Sequence, residues 1–130
     1  MILLAAHSWL EPAAVAEIAG MRARAGDVVP RLSRFHSNPA EVFDAWSGVW
    51  TSEEFASWDI RPMLHTVSCP TLVLQGTADE FATPEQATLT ASAIGGNAEC
   101  RMLDGLRHLL HHDAPEFVVE TIVDFLETSR

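Results

Sequence analysis

Residues 69–86 read CPTLVLQGTADEFATPEQ, and the order of apolar run, glycine, acid and proline in this stretch decides the fold. Thr71 to Gln75 is an apolar run that follows Pro70 and stops at Gly76, which predicts a short strand buried on both faces, the kind found in parallel sheets. Thr83-Pro84-Glu85-Gln86 resembles a capping box with proline at the first helical position, so a helix follows at once and ends at Gly95-Gly96. Downstream, Ala98 to Leu103 alternates as a strand. Asp113-Ala114-Pro115-Glu116 opens a last helix whose Val118, Ile122, Phe125 and Leu126 share one apolar face. Upstream, Ile2 to Ala6 is a third apolar run, also read as a buried strand.

Between the first and second strands lies a helical stretch, about residues 12–58. Glu11-Pro12 starts one helix, with Val15, Ile18, Met21 and Ala25 at helical spacing and Gly26 as its stop; Asn38-Pro39-Ala40-Glu41 and Thr51-Ser52-Glu53-Glu54 resemble two further capping boxes. Strands alternating with helices imply parallel pairing through right-handed crossovers. The expected fold is α/β: a single domain over residues 1–130, a three-stranded parallel sheet flanked by helices, with a helical cap-like insertion. The first strand then forms an open apolar edge, which invites another chain. A homo-oligomer pairing through Ile2 to Ala6 is therefore expected.

Composition removes several functions. Eight basic against eighteen acidic residues give a net charge of −10, the wrong sign for nucleic-acid phosphates. No apolar run approaches the roughly 18 residues of a membrane span, and Met1 to Ala6 lacks the basic start of a secretory leader. A cytoplasmic protein is expected, with no membrane partner. Cys69 and Cys100 read as small buried hydrophobes rather than a disulfide. His108, His111 and His112 with Asp113 raise a metal site, but the helix start at Asp113 breaks the spacing that such a site needs. No metal or cofactor is expected.

Asp79 falls just past the carboxyl end of one parallel strand and His108 just past the next, the rim where open α/β sheets place ligands. A carboxylate there can bond one imidazole nitrogen, fix the tautomer and stabilise the imidazolium formed when the other nitrogen takes a proton. The run quoted above, followed by LDGLRHLLHHDAPEFVVETIVDFL (residues 103–126), resembles the C-terminal half of an α/β-hydrolase. In that family the acid after this strand and the histidine after the last strand are triad members, which the resemblance carries onto Asp79 and His108. HSNPAEVFDAWSGVWTSEEFASWDIRPML (residues 36–64) resembles the family's cap helices, and MILLAAHSWLEP its sixth strand.

The fold implied is a truncated α/β-hydrolase, because the family's first five strands and its G-x-S-x-G elbow have no counterpart in the sequence. Arg107 stands where the family usually has glycine, and a cation there would disfavour an imidazolium. Ser8, at the end of the first strand, is the candidate nucleophile in the family's chain order; a loop serine bonding backbone is the competing reading. Trp9, Trp46 and Trp50 are candidates to bind an apolar small-molecule substrate, although Trp46, Trp50, Trp58, Phe43 and Phe55 equally suit the core of the insertion. The expectation is an esterase-type hydrolase of small carboxylic esters or related carbonyl compounds. It uses Asp79 and His108 with Ser8 or a partner-supplied nucleophile. The alternatives are a non-catalytic oligomerising remnant, or half of a split hydrolase.

Overall fold

The central strand is the most deeply buried element: all six residues of Thr71–Gly76 are buried, as their continuous apolar run requires. In a computed structural model, which describes residues 1–129, the elements follow in the order β1 (Ile2–Leu4), α1 (Pro12–Ala23), α2 (Ala25–Leu32), α3 (Pro39–Trp50), a 3₁₀ turn (Arg61–Thr66), β2 (Thr71–Gly76), α4 (Pro84–Ile94), β3 (Ala98–Leu103), α5 (Leu110–Asp113) and α6 (Pro115–Thr128). The sheet has three strands in the order β1-β2-β3, all parallel. Leu72 lies opposite Ile2 on one side and Glu99 on the other.

Successive residues of β2 point to opposite faces, and each face has its own apolar layer. Leu72 and Leu74 pack with Leu103, Leu110, Val118 and Phe125, with Ile2 and Leu4 against them, so α6 covers this face. Val73 packs with Ala87 and Ala91 of α4 on the other. The bond from Arg101 Nη1 to Asp124 Oδ2 (2.7 Å) ties β3 to α6. The chain divides into two units, Met1–Trp9 with the residues from Asp59 onward, and Leu10–Trp58. Within the second unit α3 packs against both α1 and α2, and Arg22 Nη1 donates to Ser47 Oγ (2.7 Å).

Several local expectations are corrected. β1 is three residues long and half-buried rather than running to Ala6, because Ala5 turns the chain with φ 47°. Gly26 does not stop a helix; the break falls at Arg24, and α2 runs through Gly26. Thr51 to Glu54 forms turns rather than a helix start, although Ser52 Oγ accepts from the Phe55 N–H (3.2 Å). A short helix, α5, precedes the expected start at Asp113. Leu126 is half-exposed rather than part of the buried face of α6, and Cys69 is exposed rather than buried.

Candidate active site

All three strands run the same way, so the segments after β1, β2 and β3 emerge at one rim, bringing His7, Asp79 and His108 together. Gly76 sets how close the last two segments come. A Cβ on Gly76 would lie 2.0 Å from the Leu106 carbonyl oxygen, so only glycine lets the histidine loop settle on the end of β2. The loop is then stitched to the acid turn. Thr77 N–H donates to Leu103 O and Ala78 N–H to Leu106 O, both at 3.0 Å. Thr77 Oγ1 accepts from the Gly105 N–H (2.8 Å) and donates to Asp104 Oδ1 (3.1 Å).

His108 Nδ1 sits 3.1 and 3.0 Å from the two carboxylate oxygens of Asp79. The Asp79 side chain is fully buried and the imidazole is 26% exposed. Asp79 also accepts from the Phe81 N–H (2.8 Å) and from Gln75 Nε2 (2.6 Å). Burial pushes the Asp79 carboxyl up, but the bond from His108, the Phe81 N–H, the His108 charge and the Gln75 amide together hold it below its ordinary value. The bond to Asp79 raises the His108 imidazole; burial opposes this, while the charges of Asp79 and Glu80 add to it. Glu80 Oε2 also accepts the His108 N–H (3.2 Å), fixing the loop. The Phe81 ring packs 4.8 Å from the imidazole.

With Nδ1 committed to Asp79, the proton-accepting atom of neutral His108 is Nε2. The pair can therefore take a proton and stabilise the resulting imidazolium. The expected penalty from Arg107 does not arise. Its guanidinium and backbone N–H are bound to Asp113 (2.9 Å for Nη2 and for N), which holds the Asp113 carboxyl below its ordinary range.

Ser8 is placed differently from Asp79 and His108. It is 2% exposed, and its Oγ lies 2.6 Å from Thr90 Oγ1. Thr90 Oγ1 donates to Gln86 O (2.5 Å), so the Ser8 hydroxyl hydrogen goes to Thr90. Ser8 O accepts from the Ile60 N–H (2.8 Å). Among the described residues no hydrogen bond joins Ser8 to His108.

Trp9 carries the Arg61 guanidinium 4.2 Å over its ring, and Arg61 also grips Asp59. Trp46, with Met21, Val28, Leu32, Val42 and Phe43, lines an apolar cavity of about 270 Å³ in the helical unit. Trp50 meets Phe55 and Trp58 edge-on, at 5.5 and 6.2 Å. The His111 and His112 rings meet edge-on, with centroids 4.5 Å apart.

Sequence reasoning missed Gln75, Phe81 and Gln86. Gln86 stands where a capping box puts its reciprocal acceptor, yet its amide reaches back to residues 7–9. Nothing local marks that role.

This arrangement defines a class: a parallel sheet whose rim holds a buried acid on one loop and a histidine on the next. The fold is that of the C-terminal part of an α/β-hydrolase. NosK from Streptomyces actuosus superposes with a TM-score of 0.73 at 21% identity, over 98% of this chain and 57% of its own. The enol-lactonase from Burkholderia xenovorans LB400 gives 0.60 at 28%, over 97% and 55%. A thermophilic esterase from Thermogutta terrifontis gives 0.58 at 23%, over 98% and 55%. The chain thus spans little more than half the length of these structures. No protein-family model and no curated protein matches the sequence. Among the described residues, no helix is long and apolar enough to cross a membrane.

Proposed function

We propose that Asp79 and His108 are the acid–base machinery of a hydrolase acting on small carboxylic esters or related carbonyl compounds. We further propose that the nucleophile comes from polypeptide docked along β1 rather than from Ser8. The observation that carries the reading is the contact of His108 Nδ1 with a fully buried carboxylate, which leaves Nε2 to act. Nε2 takes the proton of an attacking hydroxyl as its oxygen bonds the ester carbonyl carbon. The imidazolium then returns that proton to the departing alkoxide as the carbon–oxygen bond breaks. Water, deprotonated by the same nitrogen, releases the acid.

The docking surface is supported by register. Leu72 N–H donates to Met1 O and Ala5 N–H to Leu74 O, so in this parallel pair the peptide groups of Ile2 and Leu4 point to the open edge. On α6 the bond that Asp124 accepts from Arg101 turns one flank toward β3. Val119, Val123 and Leu126, about half-exposed, occupy the opposite flank, on the side of β1. Sedimentation of the chain alone distinguishes a homodimer through this edge from a monomer awaiting another polypeptide.

The two free cysteines suit a reducing compartment such as the cytoplasm. For substrate binding, Trp9, Trp46 and Trp50 remain the candidates; the apolar and aromatic neighbours of Trp46 and Trp50 support those two, whereas Trp9 lies under the Arg61 guanidinium.

The test is hydrolysis of p-nitrophenyl acetate. His108→Ala should abolish it and Ser8→Ala should leave it intact. A rate indifferent to His108→Ala would overturn the catalytic reading and favour a non-catalytic remnant, the alternative that the engaged Ser8 hydroxyl supports.

A further inference from the structure

Alternation along β2 puts Gln75 on the face of Val73, the layer that holds Ala87, Ala91 and Met102. Gln75 lies opposite Met102 in the register of β2 and β3 and is 1% exposed, a position that suits an apolar side chain. Its amide instead serves one neighbour. Nε2 donates to Asp79 Oδ2 at 2.6 Å, and the reverse orientation would set Oε1 against a carboxylate oxygen, acceptor against acceptor. That orientation leaves Oε1 enclosed by protein, and among the described residues it has no hydrogen-bond partner. An enclosed acceptor without a donor carries a desolvation penalty that an apolar residue of the same shape would not. A buried polar atom left in this state needs a reason, and among the described residues the one bond this side chain makes is to Asp79.

That bond completes the hold on a buried charge. Oδ1 accepts from the Phe81 N–H (2.8 Å) and Oδ2 from Gln75, so each carboxylate oxygen has one fixed donor, while His108 Nδ1 lies 3.1 and 3.0 Å from the two. A carboxylate divides its charge among its donors, and removing one leaves more for the others. We propose that Gln75 is a positioning residue of the acid–base pair: its amide fixes Oδ2 and takes up a share of the carboxylate charge that would otherwise fall on His108. The assignment rests on the reading of Asp79 and His108 as acid–base machinery. The share matters because the bond to Asp79 already raises the His108 imidazole. A stronger pull would keep a proton on Nε2 at neutral pH, where that nitrogen must be free of one to act as a base. The other groups around the imidazole are Glu80, whose charge acts in the same direction as that of Asp79, and His7, with its ring centroid 5.9 Å away. Arg107 is bound to Asp113.

The test follows His108 by NMR titration in the full chain carrying Gln75→Met, which keeps the length and bulk of the side chain and removes the amide. The His108 pKa should rise above that of the parent. Simple loosening of Asp79 predicts the opposite, a return toward the ordinary histidine value, so the direction separates positioning of charge from mere support. On p-nitrophenyl acetate the acid limb of the kcat profile should move to higher pH, with a rate about threefold lower on that limb, recovery at alkaline pH and KM unchanged. A second measurement needs no variant, and it decides alone should Gln75→Met fail to fold. In the parent chain one Gln75 side-chain amide proton should be strongly deshielded, exchange slowly, and shift as His108 titrates. A His108 pKa unmoved or lowered in folded Gln75→Met, or Gln75 amide protons indifferent to the His108 titration, would overturn the inference. The esterase reading fails separately, through a rate indifferent to His108→Ala, and that result leaves the Gln75 and His108 signals of the parent chain as they are.

Discussion

Gly76→Ala tests the device that brings acid and histidine together. The new Cβ would lie 2.0 Å from Leu106 O, 2.6 Å from Leu106 C and 2.9 Å from Arg107 O, all backbone atoms that no rotamer change can move. Ordinary contact begins at 3.4 Å, so the loop must retreat by about 1.4 Å, the difference between those two separations. That movement takes the bond from Ala78 N to Leu106 O, now 3.0 Å, out of range, and strains the one from Thr77 N to Leu103 O. Two backbone bonds at about 1 kcal/mol each and overpacking strain of about 1–3 kcal/mol oppose a gain of roughly 0.7 kcal/mol from reduced freedom of the unfolded chain. The net expectation is a loss of about 2–4 kcal/mol. The His108 imidazole, pulled from Asp79, should return toward its ordinary pKa near 6.5. Urea unfolding followed by tryptophan fluorescence measures the first quantity, and an NMR titration of His108 the second. Gly96→Ala is the control: its Cβ meets nothing within 4 Å, and the change should stay within about 0.5 kcal/mol. If Gly76→Ala costs less than about 1 kcal/mol and leaves the His108 titration unmoved, the close-approach argument is wrong.

Three further outcomes follow from the same contacts. Asp79→Asn removes the largest cause of the raised His108 pKa, so that pKa should fall. Because a raised histidine pKa stabilises the fold fully below the unfolded value and loses that effect as pH rises through the folded one, the variant should also lose the part of parental stability that fades with rising pH above about 6.5. The depressed Asp79 contributes in the opposite sense: its stabilisation is present above its ordinary 3.8 and is lost as pH falls through the folded value, so acid unfolding should flatten in the same variant. Ser8→Ala should cost about 1 kcal/mol in urea unfolding through the lost buried bond between its hydroxyl and Thr90 Oγ1; no measurable cost would contradict the hydrogen bonding assigned to Ser8. Ellman's reagent should label exposed Cys69 quickly and Cys100 slowly, since burial pushes the Cys100 thiol up, and equal rates would contradict that burial.

The sequence by itself determined the parallel sheet and the placing of Asp79 and His108 at one rim, because those signals are local. Pro70, the run Thr71 to Gln75 and the Gly76 stop are contiguous, and they make β2 a buried strand wherever it docks. The positions of Asp79 and His108 then follow from strand ends alone, since parallel strands put every such loop at one rim. Tertiary structure decided the fates of Ser8, Gln86, His7 and Arg107. Ser8 is bonded to α4, seventy-eight and eighty-two residues away in sequence, and no periodicity encodes a contact across such a separation. Arg107, read as a threat to the imidazolium, is taken up by Asp113 only because the short helix α5 turns that carboxylate back onto it. Gly76 carries both kinds of information. Its place at the end of a strand is legible in the chain, but the 2.0 Å clearance that demands glycine exists only once a loop from beyond β3 has folded down upon it. Local patterns specify where a backbone goes, whereas the partner of a polar side chain is set by which distant segment arrives beside it.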